Sequence, residues 1–432
     1  MEQLLKGLSR FSDNRISWIT VIVFSMPVFL LTIKSWVTTS LFLLFFICFW
    51  PILKQPKKYL LNRSNQFWAL LACLLIPFFA ELFAQMGRGA IVGSSLDGPS
   101  RMIMATCIFV YLSRFDCSRV IQALSYGSAF GILGVGLSLV FFPDYYWGIR
   151  AATYFVDPIT LPCFTVGLLG IYLFSNLRPF PLILDHLIKV FLICITAFVS
   201  VESSSRSAWV AFSCMLAIYV LYSLRRSFKA QAMGMVALMA VLVIMYFLLD
   251  AVHARINESV EGLLGFLSQS ESLVETVQHT SSGQRMILGL IDIYLIKENP
   301  IFGLGDRMIL PPYEEMLLVI PILTKEIYEI KVLAGSHSEI LAQLVREGII
   351  FGSLTLYALF LYPLYLFVWK YRKLTIFSGS PLAGVLGIMI PIMASSLTIQ
   401  VFNLKMTISF YGLCLAIFFA CLCRQVEERP GN

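Results

Sequence analysis

Twelve apolar runs, each long enough to cross a membrane, dominate this chain of 432 residues. Hydrophobic residues make up 58% of it, and a soluble domain cannot bury that much apolar surface. Runs of about 16–22 residues suit a hydrocarbon layer about 30 Å thick. We therefore predict an all-α, polytopic membrane protein with about twelve transmembrane helices. The runs are 16–33, 36–53, 67–84, 98–113, 121–142, 158–175, 182–201, 207–224, 231–249, 349–369, 382–399 and 405–423.

The lysines and arginines favour one orientation of these spans. With the N-terminus inside, nineteen of them lie in inner connections and only six in the short outer connections. Basic residues are enriched on the cytoplasmic side of membrane proteins. Both termini are therefore expected in the cytoplasm. The inner basic clusters are interpreted as topology signals and lipid contacts, and no nucleic-acid motif is present.

A long polar stretch at residues 250–346, called the polar segment below, separates the ninth run from the tenth. On this orientation it lies outside, and we predict a folded helical domain there. Residues 1–249 would supply spans 1–9, and residues 347–432 would supply spans 10–12 and a cytoplasmic C-terminus. Acidic residues outnumber basic ones by 12 to 6 within residues 250–336. An arginine there is therefore interpreted as having a specific role, and not as part of a basic surface that attracts anionic lipid.

Arg206 lies outside, against the general bias, where the chain enters the eighth run. Ser203 is a plausible helix N-cap, which would place Arg206 in the first turn. A helix N-terminus carries free N–H groups and a positive dipole end, so an arginine there favours a bound anion such as phosphate. The alternatives are a contact with lipid head groups or an ion pair with Glu202.

Arg285 repeats this arrangement within the polar segment. Ser281 and Gln284 have the spacing of a capping box, and apolar residues follow at helical intervals. Because helical side chains lean toward the N-terminus, the Arg285 guanidinium could share an anion with the free N–H groups. A surface ion pair with one of the neighbouring acids is the alternative interpretation.

His337 is the third residue of this kind. Ser336 and Glu339 form another possible capping box, with His337 at the first helical position. The helix N-terminus disfavours an imidazolium, so His337 is expected to be neutral and able to accept a proton. A purely structural histidine is the alternative.

Other outer residues fit less firmly. Arg150 precedes the sixth run, and Arg88 lies in a glycine-rich outer loop. Either could hold a second phosphate or a sugar, and Glu81 within the third run could pair with Arg88. The histidines and cysteines lack metal-binding spacing, so no metal site is expected.

These residues resemble the O-antigen ligase family. The resemblance rests on Ser-Arg-Ser at 205–207, on the Arg285 helix followed by Asn-Pro-Ile-Phe-Gly-Leu-Gly at 299–305, and on His337 and Ser338 with Gly348 ten residues after the serine. It covers most of the chain, since that family has a twelve-span bundle and one large periplasmic loop between spans 9 and 10. The wider superfamily also contains O-antigen polymerases and protein O-oligosaccharyltransferases.

Two positions depart from the family pattern. Phe351 stands where the family commonly has a small residue or tyrosine, three residues after the motif glycine. The stretch from Arg150 to Pro158 resembles the family's Arg…Asn-Pro element, with Asp157 in place of the asparagine.

The resemblance implies a glycosyltransferase of the Gram-negative inner membrane with a periplasmic active site. Glycan would pass from undecaprenyl diphosphate to a lipid A-core sugar hydroxyl, with inversion and without metal or cofactor. Arg206 and Arg285 would bind the diphosphate, and His337 would act as general base. Arg150 and Arg88 are further candidates for diphosphate or glycan binding. The expected partners are the carrier-linked glycan, the lipid A-core acceptor and membrane lipids, but no nucleic acid.

Two competing functions are open on the sequence alone. An O-antigen polymerase would use the same chemistry and differ only in its acceptor. A transporter or flippase for a lipid-linked glycan would use the arginines to bind an anion that it moves. Sparse intramembrane charge and the absence of evident inverted halves argue against transport.

Overall fold

The computed structural model describes residues 2–146, 150–175, 177, 181–268, 280–305, 310–376, 380–402 and 404–428, and these are almost entirely helical. In chain order the helices are α1 (Glu2–Phe29), α2 (Trp36–Lys54), α3 (Pro56–Leu60), α4 (Asn65–Gly87), α5 (Gly93–Leu112), α6 (Ser118–Phe141), α7 (Thr160–Phe174), α8 (Leu182–Glu202), α9 (Arg206–Ser223), α10 (Phe228–Leu248), α11 (Asp250–Ser268), α12 (Ser281–Glu298), α13 (Tyr313–Val319), α14 (Lys325–Ala334), α15 (Glu339–Leu356), α16 (Tyr362–Tyr365), α17 (Arg372–Thr375), α18 (Gly384–Ser396) and α19 (Lys405–Glu427).

Three further helical turns and one hairpin complete the described elements. The π-helical turns Tyr357–Leu361 and Leu366–Lys370 extend α15 and α16 into one long rod, and a 3₁₀ turn at Pro381–Ala383 precedes α18. The hairpin pairs β1 (Asp144–Tyr146) with β2 (Arg150–Ala152) in antiparallel register, a small addition to the predicted all-α class.

Each of the twelve predicted apolar runs falls on a helix, and the all-α, polytopic membrane class is confirmed. Among the described residues, eight helices are long and apolar enough to cross a membrane, and three shorter apolar helices accompany them. The fourth run lies on α5, whose first turns carry Asp97 and Arg101 in an ion pair of 3.0 Å. That pair explains the weak hydropathy of this run.

Burial divides the apolar helices into central and peripheral ones. All fifteen residues of α7 are buried, as is the whole of Met406–Cys423 in α19, whereas α10 has no buried residue. Gly170 of α7 and Gly387 of α18 meet backbone to backbone, where a side chain on either would clash. Helices α7 and α18 are therefore in direct backbone contact at the centre of the bundle.

The polar segment has a hydrophobic core of its own. Buried side chains from α12, α13 and α14 form a cluster separate from that of the membrane bundle. Ile287, Ile291 and Leu295 supply the α12 face of this cluster at helical spacing, and Ile327 of α14 packs there without exposure to solvent. The described part of the segment is therefore folded, and it meets the bundle where α11 contacts α10 and where α15 contacts α4.

A break in α15 joins the polar segment to the bundle. Gly348 has φ 79° and ψ 173°, which interrupts the helix. The turn at residues 299–305 fits against this break, where Ile349 donates to the Pro300 carbonyl at 2.7 Å and Leu304 donates to the Val345 carbonyl at 2.8 Å. A side chain at Gly348 would collide with the carbonyl of this turn, so the position requires glycine.

Phe351, the departure from the family pattern, has a structural partner. Its ring stacks on Phe302 of the same turn, with centroids 6.0 Å apart and planes inclined by 20°. Stacked aromatic pairs of this kind add stability beyond their buried area. Phe351 therefore holds the turn at residues 299–305, which follows α12, against the part of α15 that lies beyond the break.

Candidate functional site

Arg206 is the first residue of α9, as predicted, but the residue before it is the cap. The predicted N-cap Ser203 follows the last turn of α8, where its hydroxyl donates to the Val199 carbonyl at 2.7 Å. Ser205 occupies the N-cap position with extended backbone. Ser204, with φ 49°, makes the left-handed turn between the two helices. The cap prediction was wrong by two residues, since a serine run offers several cap positions with similar local chemistry.

The Arg206 guanidinium points from α9 into the polar segment. It donates to Ser259 Oγ at 2.6 Å and to Ser282 Oγ at 2.9 Å, and it lies 3.4 Å from a Glu258 carboxylate oxygen. The alternative interpretation of Arg206 was an ion pair with Glu202, but the observed carboxylate partner is Glu258 of α11. Arg206 therefore connects three elements, the bundle helix α9 and the segment helices α11 and α12.

Arg285 lies on α12 one turn past its start. Thr280, not the predicted Ser281, caps this helix by accepting from the Gly283 N–H at 3.2 Å. Arg285 forms no hydrogen bond or ion pair with any residue that the structure describes. Burial lowers its pKa to about 10, and the positive charges of Arg206 and Arg150 act in the same direction. Arg285 is thus a partly buried cation among other cations.

His337 lies two residues before the start of α15, so it is not the first helical residue, as the sequence had suggested. Ser338, not the predicted Ser336, is the N-cap, and it accepts from the Leu341 N–H at 3.5 Å while donating to the Ser396 carbonyl at 3.1 Å. The imidazole forms no hydrogen bond within the described part of the chain. Burial lowers the pKa of His337 to about 4, with further lowering by Arg285 and Lys331. The imidazole is therefore neutral at neutral pH.

One pocket of about 360 Å³ brings Arg206, Arg285 and His337 together. Its remaining lining combines polar and apolar side chains from α9, α11, α12, α15 and the stretch after α18. They are Ser207, Val210, Ser259, Ser282, Met286, Gly289, Asp292, Ser338, Leu341, Leu397 and Thr398. The pocket thus offers two guanidinium groups and an imidazole that can accept a proton, the groups needed to bind an anion and activate a hydroxyl.

A buried triad at the wall of this pocket was missed at the sequence level. Asp292 Oδ1 accepts from Lys331 Nζ and from Ser336 Oγ at 2.7 Å, and Lys331 donates to the same serine at 2.8 Å. Burial raises the pKa of Asp292 and lowers that of Lys331. Asp292 lies seven residues after Arg285, on the same helical face, and this spacing was the available signal.

Arg150 belongs to the same electrostatic neighbourhood without lining the pocket. It begins strand β2, and burial together with the nearby charges of Arg255 and Arg206 lowers its pKa. Asp157, which follows the hairpin, accepts from the N–H groups of Ile159 and Thr160, both at 2.9 Å. The aspartate therefore caps central helix α7 in the manner open to aspartate and asparagine alike.

Arg88 lies elsewhere, beside the break in α15. Its guanidinium donates to the carbonyl of Phe302 and, at 2.8 Å, to that of Arg346, and it lies 3.6 Å from Glu81. The expected pairing of Glu81 with Arg88 is observed, and Arg346 shares this carboxylate at 3.3 Å. The structure therefore does not bring Arg88 into the pocket of Arg206, Arg285 and His337.

An apolar groove of about 560 Å³ leads away from the pocket between α8, α9, α10 and α11. Arg206, Val210 and Ser259 line both cavities, so the groove adjoins the pocket at these residues. The rest of the groove is lined mainly by aliphatic and aromatic side chains, including Trp209, Phe212 and Leu263. Such a groove fits a hydrocarbon chain whose charged end lies at the arginines.

The fold and the pocket define a polytopic helical membrane protein with a cationic site between its bundle and its polar segment. Residues 190–356 match the family model described as O-antigen ligase. The match includes Arg206, Arg285 and His337, and it supports the ligase and polymerase superfamily with a glycosyltransferase-like activity. Among curated proteins no match was found. Within the described residues, no cluster of three or more metal-binding side chains occurs.

Proposed function

We propose that this protein is an O-antigen ligase. It would transfer glycan from undecaprenyl diphosphate to a sugar hydroxyl of the lipid A core, with inversion at the anomeric carbon. The single observation that carries this proposal is the convergence on one pocket of Arg206, of neutral His337 and of Arg285, which has no partner among the described residues. The family match supports the ligase and polymerase superfamily, and the pocket supplies cations for a leaving diphosphate and a base for an acceptor hydroxyl.

The two arginines bind the leaving group. As the glycosidic bond breaks, negative charge grows on the diphosphate, and positioned cations stabilise that charge. Arg285 is suited to this role because no described carboxylate competes for its guanidinium. Arg206 is held by serine hydroxyls and Glu258, so its position is fixed before the donor arrives. Arg150 adds a further positive charge to the same region.

His337 acts as the general base on the acceptor hydroxyl. Its imidazole is neutral and lacks a hydrogen-bond partner among the described residues, so it can accept the proton as the hydroxyl attacks. In the free enzyme the low pKa of His337 makes its imidazole a weak base. Binding of the diphosphate would offset the charge of Arg285, which moves the pKa of His337 back toward the working pH.

The apolar groove holds the polyprenyl chain of the donor. Because the groove adjoins the pocket at Arg206, a chain bound in the groove would end beside the arginines that bind the diphosphate. On the orientation favoured by the basic residues, the pocket faces the periplasm of a Gram-negative inner membrane, with both termini in the cytoplasm. Residues 1–249, 250–346 and 347–432 then form spans 1–9, a periplasmic domain and spans 10–12 with the C-terminus.

Reconstitution tests the reaction and the base together. Purified protein in lipid vesicles is given undecaprenyl-diphosphate glycan and lipid A-core acceptor, and transfer is measured for wild type and H337A. We expect H337A to lower kcat by about 10²–10⁴-fold while donor affinity is retained. H186A is the matched control, because His186 is exposed near the start of α8 and lies outside the pocket. Wild-type transfer that H337A leaves intact would end the general-base role.

Deletion of the gene separates ligase from polymerase. A ligase mutant accumulates uncapped lipid A core together with long carrier-linked polymer. A polymerase mutant instead carries core bearing a single repeat unit. Core capped with long polymer in the deletion strain would contradict both activities.

A further inference from the structure

We propose that the buried triad Asp292–Lys331–Ser336 positions the base His337 over the diphosphate site. The inference rests on the proposed catalytic role of His337. It concerns residues that do not themselves touch the reacting atoms, and it explains how two catalytic groups on different elements keep a fixed separation.

The triad connects the two elements that carry the chemistry. Asp292 lies on α12, the helix of Arg285, and Ser336 directly precedes His337. The Ser336 hydroxyl donates to Asp292 Oδ1 at 2.7 Å, so the loop that carries the base is hydrogen-bonded to the helix that carries the cation. Lys331 of α14 completes the triad from a third element.

Burial makes this connection rigid. Asp292 is 1% exposed, and Lys331 and Ser336 are each 2% exposed. Water therefore cannot compete for these hydrogen bonds, and charged hydrogen bonds in a low-dielectric interior are stronger than exposed ones. A buried carboxylate and ammonium retain their charges only while they stay together, so the triad tolerates little displacement.

The loop between α14 and α15 leaves His337 little freedom. Gly335, with φ 71°, turns the chain at the end of α14. Ser336 and Ser338, the two neighbours of the base, are hydrogen-bonded to different elements. Ser336 donates to Asp292 of α12, and Ser338 donates to the Ser396 carbonyl at the end of α18. The imidazole therefore projects from a segment fastened on both sides.

Removal of one hydroxyl isolates this role. S336A breaks the connection to the loop but leaves the Lys331–Asp292 ion pair in place. We expect kcat to fall by about tenfold or more, because a small misplacement of a catalytic group is costly, while donor affinity stays within about twofold. S128A is the matched control, since Ser128 loses a comparable buried hydrogen bond, to the Leu124 carbonyl at 2.7 Å, in α6.

A double variant shows whether the effect runs through His337. If the triad acts only by positioning the base, S336A adds nothing to H337A, so the double variant transfers at the residual rate of H337A alone. D292N provides a second variant, with D185N in the Asp185–Lys189 pair of α8 as its control for a broken buried ion pair. Melting temperatures measured alongside identify any variant that fails to fold.

The outcomes separate this inference from the proposed function. An inactive H337A together with a fully active S336A overturns the positioning role alone. A loss in S336A that persists on top of H337A, or that is matched by lost donor binding, means general damage to the pocket and also overturns it. Full activity of H337A would instead remove the catalytic role on which the inference rests.

Discussion

Two arginine clusters lie where the polar segment meets the bundle, and they differ in what satisfies their charge. Arg88 and Arg346, beside the break in α15, are occupied by backbone carbonyls and by Glu81. In the pocket, Arg206 has Glu258 and two serines, whereas Arg285 has no described partner. The same side-chain type therefore holds the fold together in one cluster and leaves a cation open to a ligand in the other.

The comparison shows how arginines with similar sequence settings separate in the folded protein. Arg88 and Arg206 both lie outside the cytoplasm on the predicted topology, and both break the general charge bias. Only the contacts distinguish them, since a guanidinium whose donors already bind carbonyls has little capacity left for a phosphate. Positive charge alone therefore does not identify a substrate site.

The largest effect on activity is expected from a substitution in the pocket cluster, at Arg285. R285M keeps an unbranched apolar stem but removes the guanidinium and its charge. We expect transfer to fall by about 10²–10³-fold, the usual cost of losing one donor to a developing anion. Because Arg285 has no described partner to lose, the free energy of unfolding should change by less than about 1 kcal/mol. Single-turnover transfer and thermal unfolding measure the two quantities, and retained activity would contradict the diphosphate role.

The complementary change, R88M, is expected to affect stability more than activity. The carbonyls of Phe302 and Arg346 and the carboxylate of Glu81 would lose a donor, which costs about 1–3 kcal/mol for buried groups. Transfer per folded molecule should remain within about threefold of wild type. If R88M instead stops transfer at unchanged stability, Arg88 belongs to the substrate site, as the sequence suggested, and the two clusters share one function.

The sequence was sufficient for the elements and for the main site residues, but not for their contacts. Apolar runs predicted the helices because a membrane span needs a minimum length of apolar side chains. Arg206, Arg285 and His337 stood out as polar exceptions near helix starts. Asp292, Lys331 and Ser336 could not be recognised together, since they come from different elements and become a triad only when the segment folds. The predicted cap residues were wrong because neighbouring serines and threonines have the same local chemistry, so the sequence does not show which of them caps the helix.

The smallest expected effect is on the pH dependence of kcat/KM, which also distinguishes Arg285 from Arg88. With the pKa of His337 lowered to about 4, its imidazole stays neutral well below pH 7. The wild-type kcat/KM, which reports the free enzyme, should therefore change by less than about twofold between pH 7.5 and pH 5.5. An ordinary histidine with a pKa near 6.5 would lose about tenfold over the same range. Because Arg285 contributes to the lowering, the profile of R285M should shift to higher pH, whereas that of R88M should not.

The same pKa makes a prediction about stability. The folded pKa of His337 lies below its unfolded value, so the unfolded chain takes up the proton first as the pH falls. This contribution to stability is complete above about pH 6.5 and is lost as the pH falls through about 4. Replacement of the imidazole by an amide in H337Q removes the titration, so its melting temperature should fall less than that of wild type between pH 6.5 and pH 4.5. Equal slopes for the two proteins would show that the pKa of His337 is not lowered in the folded protein, and the proposed effect of burial and of the neighbouring cations on this imidazole would then be wrong.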